Sequence, residues 1–256
     1  MAAEIIDLGR RIVAQAETQG ATVRLLGGVA VGIRCADILL DNPSLVRAYP
    51  DIDLAAYSRE RKTVEAMLLD FGFRGVTEFN YLAAGRRLMY VRDADKLRVD
   101  VFLDEFRMCH RLPLLNRLEM TSLTLNLTDL LLTKLQIVQP SGRDAIDLCA
   151  LLLASSVTSS PWQQYSDGLE ASRVTEICSR SWGWHTTVLY SLRWVEESAR
   201  PLLDRDVCET VVGEARALAR RIQETPKTLG WKMRALIGER LTWYETPETI
   251  EPSHVG

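Results

Sequence analysis

Nowhere does this sequence place two cysteines in C-x-x-C spacing. Its five cysteines, Cys35, Cys109, Cys149, Cys178 and Cys208, are scattered and odd in number. That argues against a disulfide framework and against a zinc site, and fits a reducing compartment. The three histidines, His110, His185 and His254, show no metal-ligand spacing. No apolar run approaches the roughly 20 residues that a membrane span requires, so no membrane partner is expected. The opening residues Met1-Ala2-Ala3-Glu4 lack a basic region followed by an apolar core, and no secretory leader is expected. Together these absences lead us to expect a cytoplasmic protein. An excess of positive charge is missing too. The formal net charge is -3, which gives no electrostatic footprint for general nucleic-acid binding. Arg216, Arg220, Arg221, Lys227, Lys232, Arg234 and Arg240 do cluster near the end, but among several acids, as on a solvated helical face. There is no internal repeat and no low-complexity tract.

What is present is ordinary in bulk and informative in detail. The 256 residues are 47% hydrophobic and 25% charged, enough for one large domain or two small ones with a well-buried core. Ile5, Leu8, Ile12, Val13 and Ala16 recur at helical spacing, with Gly20 where that helix would end. Val23 to Leu26 is a short apolar strand, broken by Gly27-Gly28 before a helix through Cys35. A polar excursion from Asp41 to Pro50 follows. Ser58 is placed to cap a helix burying Val64, Leu68 and Phe71 and closed by Gly72. Strands are expected near Val76 to Phe79, at Arg87 to Arg92 and around Asp100, with a hairpin turn at Asp93-Ala94-Asp95. After Pro113 the texture becomes helical: Thr128 to Val138, Arg143 to Ala154, Leu169 to Arg180, Trp184 to Glu197, Asp206 to Gln223 and Leu229 to Tyr244. The Ser/Thr-rich stretch from Ser155 to Pro161 reads as a loop. The expected fold class is α+β, with a catalytic domain over 1–115 and an all-helical part over 116–256.

The segment Asp51-Ile52-Asp53-Leu54 concentrates the chemistry. In a strand, successive side chains point to opposite faces, so Asp51 and Asp53 project together while Ile52 and Leu54 face inward. Two carboxylates about 7 Å apart on one face repel each other unless positive charge comes between them. A hard divalent cation supplies it, because Mg2+ takes carboxylate oxygens and keeps sites for phosphate. Leu97-Arg98-Val99-Asp100-Val101-Phe102 alternates in the same way and offers Asp100 as a third carboxylate. The bland reading makes Asp51 a turn residue after Pro50 and Asp100 a solvated strand residue.

Leu25-Leu26-Gly27-Gly28-Val29-Ala30, then Asp51-Ile52-Asp53-Leu54, then Val99-Asp100-Val101-Phe102 resembles the nucleotidyltransferase superfamily that includes DNA polymerase beta. The Gly-Gly-x-Ala turn followed by Asp-Ile-Asp-Leu is most similar to aminoglycoside and lincosamide nucleotidyltransferases and to AbiEii-type bacterial proteins. Leu131-Leu132-Thr133-Lys134-Leu135 and Arg143-Asp144-Ala145-Ile146-Asp147-Leu148 are similar to the Lys and Asp motifs of AbiEii-type toxins. A set of actinobacterial nucleotidyltransferase-family proteins also resembles most of the chain, and brings no substrate with it.

The resemblance implies a nucleotidyltransferase fold, with a mixed sheet flanked by helices. It implies that Asp51, Asp53 and Asp100 are catalytic and bind Mg2+ or Mn2+, with a nucleoside triphosphate as the donor substrate. Gly27 and Gly28, having no Cβ, would let backbone N–H groups approach triphosphate oxygens, aided by the helix dipole. Two departures stand out: position 28 is Gly where many members have Ser, and the stretch from Gly28 to Asp51 is longer than in compact members. Lys134 has two readings, an ammonium on the triphosphate or a stem packed on apolar surface with its head in water. Asp144 and Asp147, in a helix's first turn, are either nucleotide-binding or caps favoured by the dipole. The acceptor reads as a small molecule or a protein in preference to bulk RNA, given the charge. Open alternatives are a toxin or binding protein of this fold acting on tRNA or a protein partner, or recruitment to other chemistry in a natural-product pathway.

Overall fold

The computed structural model describes residues 2–83, 85–155 and 168–246. In chain order it runs α1 (Ala2–Thr18), β1 (Val23–Leu26), α2 (Gly27–Arg34), α3 (Ala36–Asp41), β2 (Asp51–Ala56), α4 (Arg61–Asp70), β3 (Phe73–Gly75) and α5 (Thr77–Leu82). Then come β4 (Arg87–Arg92), β5 (Arg98–Leu103), β6 (Glu105–Arg107), β7 (Arg111–Pro113), α6 (Leu127–Leu135) and α7 (Gly142–Ser155). The chain continues through α8 (Ala171–Arg180), α9 (Trp182–Ser198), α10 (Arg205–Glu224) and α11 (Leu229–Ile237). This is an α+β chain. The Ser/Thr-rich positions 156–161 and His254 lie outside the described residues.

The chain forms two compact units. The first is built mainly from Met1–Ala30 and Ala48–Asn126, the second from Val31–Arg47 and Leu127–Glu245. A single cut near residue 115 therefore does not describe the division, and local bonding explains why. In the second unit, Arg47 donates from Nε and Nη2 to the two carboxylate oxygens of Asp147, each at 2.7 Å. That fork ties the segment around α3 to α7. In the first unit, Leu25 N donates to Leu123 O at 2.9 Å and Leu125 N donates to Leu25 O at 2.8 Å. These bonds hold residues 123–125 along β1, well past Pro113.

The first unit holds a five-stranded mixed sheet in the order β1-β2-β5-β4-β3. β2 runs parallel to β5, and the other pairs are antiparallel. One face of the sheet is apolar: Leu25, Leu54 and Val101 stand abreast on adjacent strands and are fully buried. α1 packs on β1 and on α4, adding Ile12, Val13, Val64, Met67 and Leu68 to that core. The opposite face carries Asp51, Asp53, Arg98 and Asp100, because a period of two sends every polar residue of these strands the same way.

Three expectations need correction. The strand expected at Val76 to Phe79 is instead Phe73–Gly75, followed by α5. Val76 N still donates to Met89 O at 2.8 Å as the last rung, but Phe79 and Ala83, one helical turn apart, bury against Met89. Ser58 does not cap α4; its backbone N–H donates to Asp104 Oδ1, and a single 3-10 turn leads into Arg61. α11 ends at Ile237, seven residues before Tyr244, because Gly238 adopts φ +59 and stops the helix.

The regular elements of the second unit are all helices among its described residues. Every residue of α6 except Lys134 is buried. α7 packs on α6, α9 and α10, and Arg173 Nε meets the fully buried Asp129 at 2.5 Å, pinning α8 to α6. No helix among the described residues is long and apolar enough to cross a membrane.

Candidate active site

β2 begins at Asp51, directly after Pro50, and its parallel register with β5 sets Asp51 beside Arg98 and Asp53 beside Asp100. Four charged side chains therefore stand as a two-by-two array on one sheet face, backed by Ile52 and Val99 on the other. The pattern predicted from alternation holds, and it rules out the solvated reading of Asp100, whose side chain is 0% exposed. What alternation also dictated, and the motif reading passed over, is Arg98. It lies two residues before Asp100 and must share its face.

Arg98 supplies the positive charge that the carboxylates demand. Its Nη2 donates to Asp51 Oδ2 at 2.5 Å, and its Nε lies 2.9 Å from Asp100 Oδ2. The second contact is close but misaligned. Neither Asp100 Oδ2 nor Arg98 Nε, both buried atoms, has a hydrogen-bond partner among the described residues. A second arginine approaches from β4: Arg87 Nε donates to Asp100 Oδ1 at 3.0 Å, with Nη2 also at 3.0 Å. Arg87 is clamped, its guanidinium lying 5.3 Å from the Phe79 ring centre and 5.0 Å from that of Phe102.

The electrostatics follow from burial and neighbours. Burial raises the Asp100 pKa above the usual carboxylate value, against the lowering pull of Arg87 and Arg98. Burial works to lower the pKa of Arg98, but Asp100 and Asp51 overcome it and the net shift is upward.

The glycine turn takes part in this arrangement. Gly27 opens α2 with φ +66, and a Cβ built there would fall 1.9 Å from Asp53 Oδ2. Only glycine leaves the Asp53 carboxylate room against the start of α2. Gly28 lies half-buried in the first turn of α2. The fold therefore links Gly27 to Asp53 directly, through a contact that spacing alone does not reveal.

Lys134, Asp144 and Asp147 assemble separately, in the second unit. Lys134 Nζ is 2.7 Å from Asp147 Oδ2 and 3.2 Å from Asp144 Oδ1. Its ammonium meets carboxylates instead of open water. Burial pulls its pKa down, but Asp147 and Asp144 outweigh burial and leave it raised. Asp144 also accepts from the backbone N–H and the hydroxyl of Ser141, at 2.9 and 2.8 Å, so its carboxylate satisfies the N–H of the residue just before α7. With Arg47 on Asp147, two cations and two anions balance. The bonds to Ser141 are those of a first-turn capping carboxylate, and Arg47 is the member that sequence reasoning missed.

No three acidic, histidine or cysteine side chains converge as ready metal ligands among the described residues. The donor chemistry on the sheet face nonetheless fits a hard divalent cation. Asp51, Asp53 and Asp100 offer only oxygens, and Asp100 Oδ2 is a buried oxygen without a hydrogen bond.

No protein-family model matches the chain, and no curated protein matches it. Among solved structures it is similar to the antibiotic-resistance factor ANT(2'')-Ia, at 13% identity over 87% of this chain and 97% of that one, with a TM-score of 0.37. It is also similar to JHP933 from Helicobacter pylori, at 11% identity over 91% of this chain and 97% of that one, again with a TM-score of 0.37. Likeness at this level assigns no substrate.

Two substitutions test the geometry. Gly27→Ala forces a Cβ into a positive-φ position and onto Asp53, and should cost about 1–3 kcal/mol in urea unfolding. A Gly27→Ala protein as stable as wild type would show that Asp53 does not pack there. Asp144 is held below the ordinary carboxylate value of 3.8, because Lys134 and the Ser141 donors outweigh the upward push of burial. Its stabilising contribution is therefore present above that value and lost as pH falls through the lowered one. Urea unfolding at pH 7, 5 and 3 should show the wild type more stable than Asp144→Asn at the first two, with the gap closing at the third.

Proposed function

We propose that the protein transfers a nucleoside monophosphate from a nucleoside triphosphate to a hydroxyl of an acceptor. The observation that carries this reading is the array of Asp51, Asp53 and Asp100 on one sheet face, with Asp100 Oδ2 buried and without a hydrogen bond. The motif resemblance to nucleotidyltransferases, from the glycine turn through Asp-x-Asp to the third Asp, supports it. In this reading Asp51, Asp53 and Asp100 hold Mg2+ or Mn2+. A divalent cation bound to these oxygens would neutralise phosphate charge and lower the pKa of an attacking hydroxyl.

The chain's own groups do the rest. The acceptor oxygen attacks the α-phosphorus, the bond to the bridging oxygen breaks, and pyrophosphate leaves with that electron pair. Asp100, whose other oxygen is fixed by Arg87, accepts the hydroxyl proton. Gly27 and Gly28 open a helix whose N-terminal end favours phosphate. The formal charge of -3 favours a small-molecule or protein acceptor over bulk RNA.

A nucleotide-binding role for Lys134, Asp144 and Asp147 is the narrower part of the proposal. Its support is the resemblance of their motifs, since their side chains pair with one another.

Asp51→Asn, Asp53→Asn and Asp100→Asn should each cut transfer at least about 100-fold while the protein stays folded. The readout is mass spectrometry of candidate acceptors incubated with each triphosphate and Mg2+ or Mn2+. Near-wild-type turnover in any folded variant would end the three-carboxylate reading. For Lys134, a fall in triphosphate affinity of roughly 1.5–3 kcal/mol in Lys134→Met would indicate direct contact with the nucleotide. Unchanged affinity would leave Lys134 with the ion pairs alone.

A further inference from the structure

The two arginines on the carboxylate face are held very differently. Arg87 is 15% exposed, stacked between two aromatic rings, and donates to Asp100 Oδ1. Arg98 is 41% exposed, has no ring contact among the described residues, and meets Asp100 Oδ2 at 2.9 Å without hydrogen-bond alignment. Its one aligned contact with these acids is to Asp51, itself 24% exposed. A buried carboxylate oxygen facing a guanidinium that does not bond it is a poorly satisfied pair, and unsatisfied buried groups are costly. Asp100 is thus fixed through one oxygen by Arg87 and presents the other towards a cation that fits it badly.

We propose that Arg98 is a removable internal counter-ion: it neutralises Asp51 and Asp100 when no metal is bound, and turns out towards solvent when a divalent cation takes its place. The inference rests on the reading that these carboxylates take such a cation. Three observations converge on it. Arg98 occupies the space between the donors, so the guanidinium and a cation coordinated by Asp51 and Asp100 exclude each other. Its side chain is already 41% exposed against 15% for Arg87, so it has the shorter way to solvent. Arg87 keeps Asp100 in place whether Arg98 is in or out. Without Arg98, Asp51 would lose its ion pair and Asp100 would keep only its Oδ1 pairing with Arg87 among the described residues.

Mn2+ alone, titrated into the full chain and followed by the electron paramagnetic resonance of free Mn2+, tests this. Removing a competing positive charge should tighten Mn2+ binding about tenfold or more in Arg98→Gln. Arg98→Lys keeps the charge and should stay close to wild type. Equal or weaker binding in Arg98→Gln overturns the inference and leaves the cation reading standing, whereas no Mn2+ binding by any of these proteins overturns both. The wild-type protein gives a second readout that no folding defect can cloud. On saturation with Mg2+, the side-chain Nε–H resonance of Arg98 should move while that of Arg87 stays fixed. An unmoved Arg98 resonance at saturating Mg2+ also overturns the proposal.

Discussion

Carboxylates on neighbouring strands repel one another strongly when water cannot screen them, and β2 and β5 place three on one face. The parallel register leaves no alternative, since pairing Asp53 with Asp100 also pairs Asp51 with Arg98. Two guanidiniums meet this demand at Asp51 and Asp100, Arg98 reaching both and Arg87 reaching Asp100. Much of the local architecture serves that balance. Phe79 and Phe102 exist at this spot as walls for Arg87, which in turn fixes Asp100. Gly27 exists at the head of α2 because the Asp53 carboxylate needs the space where a Cβ would be.

The second unit solves the same problem in the opposite way. Around Asp147, Arg47 and Lys134 supply full and well-aligned compensation, and Asp144 is bonded to Ser141 as well as to Lys134. A closed network of this kind joins segments distant in sequence, residue 47 to residue 147. Its carboxylates are bonded on several sides, whereas on the sheet face Asp100 Oδ2 is buried without a hydrogen bond among the described residues.

Much of this was legible in the sequence where one rule dominates. Period-two alternation placed Asp51, Asp53 and Asp100 on one face, and helical spacing located α1, α6, α7, α9 and α10 to within a few residues. It failed where rules compete. Val76 to Phe79 is rich in β-formers, yet Phe79 and Ala83 bury as one helical stripe, and tertiary packing overrode propensity. The attachment of residues 31–47 to the helical unit depends on an ion pair across 100 positions, for which local pattern carries no signal. Arg98 was visible by alternation, but attention to acids as metal ligands passed over the base beside them. The packing of Asp53 onto Gly27 has no sequence signal, because a glycine turn reads the same whether it faces a phosphate or a carboxylate.

The functional account depends on the sheet face receiving a cation and the phosphates that come with it. The most direct measurement is a crystal structure of the full chain with Mn2+ and a non-hydrolysable nucleoside triphosphate, using the anomalous signal of manganese. The account predicts an anomalous peak bonded to oxygens of Asp51, Asp53 and Asp100, the triphosphate on that metal near Gly27, and Arg98 turned away from Asp100. A nucleotide bound elsewhere, with Arg98 still in contact with Asp51 and Asp100 and no peak between them, would contradict it.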